Sequence, residues 1–251
     1  MAIYAVALKN ERSDGMNKDY PVLKGMFERG MAKEGARDKD DEVLDRTALL
    51  LTRVHGDKTI LPSIVDMIFY RNREGLFTHD LIWAFFGAKD PYSLMLIANY
   101  LGSAEEKDVF LARKLLDFVP NIDMAGGKDS RKQYIQFLSW LEENYSFLYF
   151  TGESFQRTSR PIPYVVDLEA KYLCRAVSIT TGEPLIPFRS KEKHLIGHFT
   201  KLDEDHKLLL SEFSFRIHHE NIYLWNSWID KSITRQISIA KDRRRVNDYN
   251  F

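Results

Sequence analysis

One cysteine, Cys174, stands in a chain of 251 residues. A lone thiol closes no internal disulfide and builds no cysteine-based zinc site, so a disulfide scaffold and a zinc ribbon are both excluded. The economical setting is a reducing, cytoplasmic one, with Cys174, in "LEAKYLCRAVS", as a small buried hydrophobe in a helix. An excess of either charge is also missing. Lysine and arginine total 36, aspartate and glutamate total 36, and the formal net charge is zero. The whole chain therefore has no field to gather nucleic acid or an anionic membrane, and any such role needs a local patch.

Long apolar runs are absent too. No stretch approaches the roughly 20 uninterrupted apolar residues that span a bilayer. The opening "MAIYAVALKNERSDG" has no basic residue ahead of its apolar run, so it does not read as a signal peptide. Nucleotide and nucleophile signatures are missing: there is no G-x-x-x-x-G-K-[ST], no G-x-G-x-x-G and no G-x-S-x-G. No low-complexity tract occurs, and no signature word recurs at a fixed period.

What remains is a composition that is 44% hydrophobic and 13% aromatic, too apolar for disorder and large enough to bury a core. Helical signals dominate it. "DKDDEVLDRTALLLTRVHG" places Asp38, Asp40, Asp41 and Glu42 at the positive end of a helix dipole, ahead of an apolar face of Val43, Leu44, Leu50, Leu51 and Val54. Gly56 supplies its stop. "LPSIVDMIFYRNREG" carries Leu61, Ile64, Val65, Ile68 and Phe69 at i, i+3, i+4, i+7 and i+8, and ends at Gly75. "FTHDLIWAFFGA" follows. Asp90–Pro91 then reads as an N-cap and first-turn proline opening a central helix to Leu101. Ser103 and Glu106 form a capping box for the next, which ends before Pro120.

The spacing predicts an all-α fold: a multi-helix bundle or an α-solenoid-like array of short antiparallel helices, joined by short links. Residues 2–8, "AIYAVAL", are a candidate N-terminal strand or arm. A helical domain over 1–150, a polar linker over 151–163 and a helical subdomain over 164–251 with a basic tail complete the layout. "LDEDHKLLLSEFSFRIHHENIYLWNSWIDKSI" reads as one long helix or two broken near Asn221.

Candidate sites cluster in the second half. Five of the seven histidines lie in 194–219. His194 and His198 share a helical face at i, i+4 and have the spacing of metal ligands; His206, His218 and His219 are candidates to complete the shell. Leu195 stands where H-E-x-x-H has its general base, so that resemblance is superficial. In "TGESFQRTSRP", Arg157, Thr158, Ser159 and Arg160 offer guanidiniums and hydroxyls to a phosphate or carboxylate, set against the plainer reading of a wet linker. Tyr223, Trp225 and Trp228 are candidate partner anchors, set against a core stripe. Residues 231–245 hold six basic residues to one acidic, and Lys241, Arg243, Arg244 and Arg245 are candidates for docking an acidic partner or phosphates.

With no reactive signature and no net charge, the expectation is an intracellular scaffold, adaptor or assembly protein that binds a protein partner and needs no cofactor. Self-association is permitted but not demanded. The alternative is a metal-dependent or phosphate-handling hydrolase using the histidines and a divalent metal, and the third reading is nucleic-acid binding through the basic end.

Overall fold

A computed structural model describes residues 15–31, 38–120, 122, 130–154 and 158–248. The candidate N-terminal strand or arm, residues 2–8, lies outside them. The fold is all-α and bundle-like, with twelve α-helices and one two-stranded sheet among the described residues. The chain divides into two compact units: residues 1–137 with 152–163, and residues 138–151 with 164–251.

In the first unit, α1 (Gly15–Met31) packs on α2 (Asp38–Arg53), and α2 on α4 (His79–Gly87). α4 in turn packs on α3 (Leu61–Glu74), which also meets α5 (Leu94–Ala98) and α6 (Glu106–Leu115). Leu44, Ala48 and Leu51 bury the inner face of α2, and Ile64, Val65, Ile68 and Phe69 that of α3. The expected apolar face of α2 is split. Val43, Leu50 and Val54 are on the surface, at 47%, 42% and 40% exposure. At about 100° per residue, Leu44, Asp45, Thr47, Ala48, Leu51 and Thr52 share one arc of the helix, and Val43, Leu50 and Val54 fall together outside it. The buried face is completed by Asp45, Thr47 and Thr52 instead.

α1 and α2 approach closely at Gly30, where an added β-carbon would lie 2.7 Å from Leu44 Cδ1. Gly75 ends α3 in the left-handed region at φ 74°, and N–H groups past the end bond back to Arg71 O and Asn72 O.

Two local expectations change. The helix predicted from Pro91 to Leu101 is a 3₁₀ turn, the short α5 and a second 3₁₀ turn. Asp90 does not cap it by side chain; its carboxylate accepts from Lys58 Nζ at 3.0 Å. The Ser103–Glu106 capping box does not form either. The Ser103 hydroxyl accepts from the Glu105 amide at 3.1 Å and donates to Asp108 at 3.0 Å, because Asp108 is buried beside Arg73 and needs donors.

α7 (Ser130–Asn144) runs across the division between the units. In the second unit, β1 (Leu148–Phe150) pairs antiparallel with β2 (Tyr164–Val166), Tyr149 opposite Val165. α8 (Leu168–Tyr172) follows, capped by Asp167, whose carboxylate accepts from the Ala170 amide at 2.9 Å. Cys174 lies just past α8 at φ 52°, not inside a helix as expected.

α9 (Ser190–Phe199), α10 (Glu204–Glu220), α11 (Ile222–Ile229) and α12 (Ile233–Asp248) complete the unit. α10 is its spine and packs on α8, α11 and α12. Of the two readings of this stretch, the structure has the two helices: the Asn221 side chain accepts from the amides of Tyr223 and Leu224, and so starts α11. Tyr172, Phe199, Phe213, Ile217 and Trp228 form the core, with the Tyr172 and Phe199 rings stacked at 4.5 Å.

Candidate functional site

The histidines of 194–219 occupy three places. His194 and His198 lie one turn apart on α9, both exposed, with their Nε2 atoms 3.2 Å apart. His206 sits at the third position of α10. Its Nδ1 donates to Asp203, the residue that caps α10 and also accepts from the His206 amide at 2.8 Å. Its Nε2 accepts from Lys241 Nζ at 2.8 Å. The His206 amide and ring together hold the Asp203 carboxyl below its usual range. His218 and His219 sit at the other end of α10. His218 packs edge-on against Trp225, while His219 Nδ1 is 3.0 Å from Phe215 O. Burial lowers the affinity of His218 for a proton, and His219 and Arg175 add to this.

Among the described residues, no three metal-ligating side chains converge. The sequence grouped these histidines by proximity along the chain, whereas α10 alone, at 17 residues, separates His206 from His218 by three turns. The arrangement therefore offers one imidazole pair, and an Asp203–His206–Lys241 chain in which both imidazole nitrogens are engaged.

In the 151–163 segment, Arg157 lies outside the described residues. Arg160 is committed to Asp117, with Nε at 3.1 Å and a second guanidinium nitrogen at 3.0 Å. Thr158 is tied to the loop itself: its hydroxyl accepts from the Arg160 amide, and its own amide donates to Ser154 O. Ser159 is exposed. Arg160, the described cation of this set, faces a carboxylate, which leaves an incoming anion to compete with Asp117.

The aromatic candidates separate by burial. Trp228, at 2% exposure, belongs to the core, so its place as a partner anchor is corrected. Its indole N–H donates to Gln236 O at 3.3 Å. Trp225 is half-buried and donates to Ser214 Oγ at 2.7 Å. Tyr223 is 83% exposed and stands beside exposed Ile222. Consecutive residues of a short helix face different ways, and only the face toward α10 finds a core.

The basic end is helix rather than tail. Lys241 and Arg243 are exposed on α12, while the side chains of Arg244 and Arg245 lie outside the description.

Two features gave no signal in the sequence. Gln236 is fully buried; its amide nitrogen donates to Ile229 O and Lys231 O, and its oxygen accepts from Tyr172 at 2.7 Å. It thus closes the C-terminus of α11 from inside the core. The second is a groove of about 400 Å³ in the first unit, lined by Val65 and Asp66 from α3 and by Leu96, Asn99, Tyr100 and Ser103. The Tyr100 ring lies flat on Phe69, and its hydroxyl donates to Asp66 at 2.9 Å. Burial, and then Asp66, push this phenol up to about 12, so it remains a donor at neutral pH. The groove joins residues 30 or more positions apart, which no local pattern encodes.

Compared with known proteins, the chain matches no family model, no curated protein and no solved structure. Among the described residues, no helix is long and apolar enough to cross a membrane.

Proposed function

We propose that this chain is an intracellular interaction or assembly protein without catalysis of its own. One observation carries the reading: regular helices hold large apolar side chains in water. Along α2 and the residue just past its end, the exposed Val43, Leu50 and Val54 fall at i, i+7 and i+11, a single stripe along the side away from the core. Scattered exposed hydrophobes need no explanation, but an aligned stripe is the form in which one helix receives another. Ile222 and Tyr223 offer a second apolar contact on α11 of the other unit. A partner helix with its own i, i+3, i+7 apolar face matches the α2 stripe, and Tyr223 has the ring area of a hot-spot residue.

The test is native sizing with cross-linking of the tag-free protein, at its natural abundance, beside the variant Val43→Ser/Leu50→Ser/Val54→Ser. The chain alone has a mass of 29.4 kDa. A larger native species, lost in the variant while circular dichroism and melting temperature hold, supports the reading. A species of monomer size, or a complex indifferent to these residues and to Tyr223→Ala, overturns it.

A further inference from the structure

We propose that His194 and His198 form a two-imidazole chelate for a divalent late transition-metal ion, with copper, nickel and zinc as the class. The proposal goes beyond the interaction reading and stands apart from it. α9 presents both rings to solvent on one face, and their Nε2 atoms approach to 3.2 Å with the rings nearly perpendicular, 4.7 Å between centroids. Metal–imidazole bonds of about 2.0–2.1 Å place two nitrogens on one ion about 2.9 Å apart at a right angle and about 3.4 Å apart at the tetrahedral angle. The observed separation lies between the two. Small side-chain rotations bring both lone pairs onto one ion, and the fold does not have to open.

The pair is distinguished from its neighbours by where its nitrogens point. His206 has both nitrogens engaged, by Asp203 and by Lys241. His219 Nδ1 faces a backbone carbonyl, and His218 is half-buried against Trp225. His194 and His198 turn their Nε2 atoms to one another instead. In the metal-free pair, one ring donates from Nε2–H and the other accepts. Coordination needs a lone pair on each Nε2, so the donor ring carries its proton on Nδ1 when the ion is bound. No proton leaves the pair in this tautomer change, and no redox step occurs.

The chemistry selects the ion. Two neutral imidazoles favour Cu²⁺, Ni²⁺ and Zn²⁺ over Mg²⁺ and Ca²⁺, and the divalent series puts Cu²⁺ first. The protein supplies two ligands, and water fills the rest. Of the neighbouring charges, Lys191 is paired with Asp230 and Glu192 is held by Arg175.

The experiment is isothermal titration of the full, tag-free chain with Cu²⁺, Ni²⁺, Zn²⁺ and Mg²⁺, beside His194→Ala, His198→Ala, the double variant and His206→Ala. One equivalent of Ni²⁺ or Zn²⁺ binds the natural chain and the His206→Ala chain. Each single variant weakens binding about tenfold or more, because the second imidazole no longer acts at chelate-level effective concentration. The double variant loses the site, while Mg²⁺ gives no heat in any chain. Both rings are exposed on a helix, so alanine leaves the fold intact, and circular dichroism verifies that. A natural chain that takes up no Ni²⁺ or Zn²⁺ overturns the proposal. So does a double variant that titrates like the natural chain, or a Mg²⁺ response equal to that of Ni²⁺.

Discussion

At the scale of single residues, two buried aspartates of the first unit respond to acid in opposite directions. Burial alone would raise the Asp57 carboxyl. Lys24 at 2.8 Å, the Thr59 hydroxyl and amide, and the Tyr20 hydroxyl outweigh it and hold Asp57 down to about 2. Its ionised form therefore stabilises the fold above pH 4, and that contribution disappears as pH falls from about 4 to 2. Asp45 is pushed up by burial to about 6, although Arg71 Nη1 donates to both of its oxygens at 2.8 and 2.9 Å. A raised carboxyl favours folding at low pH, and this share is lost as pH rises from about 4 through 6. The protection factors of the α3 amides, with the intrinsic pH dependence of exchange divided out, should rise from pH 2 to 4. Asp45 alone then lowers them from 4 to 6, and Asp57→Asn flattens the first limb. Arg71→Met leaves the Asp45 carboxyl buried without its main ion pair, and should cost about 3–5 kcal/mol in urea unfolding. The half-buried Cys174 thiol is pushed up to about 11, mainly by burial, and should react slowly with a thiol reagent at neutral pH.

At the scale of elements, caps and faces separate structural from surface roles. Asn221 holds two amides at the start of α11, so Asn221→Ala should cost about 1 kcal/mol in denaturant unfolding. Gly75→Ala at φ 74° should cost a similar amount, about 1 kcal/mol, measured in the same way. On α11, Trp228→Ala should cost about 3–5 kcal/mol, whereas Tyr223→Ala should stay within about 0.5 kcal/mol. A partner that binds through this helix then loses affinity with the tyrosine variant alone, at unchanged stability. The i, i+4 spacing of His194 and His198 was legible because a helix turns that spacing into adjacency. The ends of α10 were equally legible as helix, yet their distance from one another is a matter of length, and a list of nearby histidines conceals it.

At the scale of the whole molecule, equal numbers of acidic and basic residues place the isoelectric point near pH 7.1. Solubility should pass through a minimum close to neutrality and rise toward pH 5 and pH 9, as turbidity against pH would record. A flat profile would mean that the apolar stripe on α2, rather than charge, governs association. The fold class was readable at this scale because apolar periodicity near 3.6 fills most of the chain. The order of packing was not: α2 meets α4, and α4 meets α3, although α2 and α3 are neighbours in sequence. That choice depends on which buried faces fit: Gly30 lets α1 and α2 approach, whereas the sequence neighbours α2 and α3 are tied by the ion pair of Arg71 with Asp45.

By itself the sequence determined the all-α class, the stop at Gly75 and the lack of a cysteine-built centre, because each depends on composition or on neighbours within a turn or two. Only the tertiary structure decided which apolar residues are core. It buried Trp228 and exposed Tyr223, and it divided Leu44 from Val43. It also set Arg160 against Asp117 and drew Gln236 beneath the end of α11. Those outcomes depend on contacts between residues far apart in the chain, where burial and pairing are settled by shape rather than by spacing.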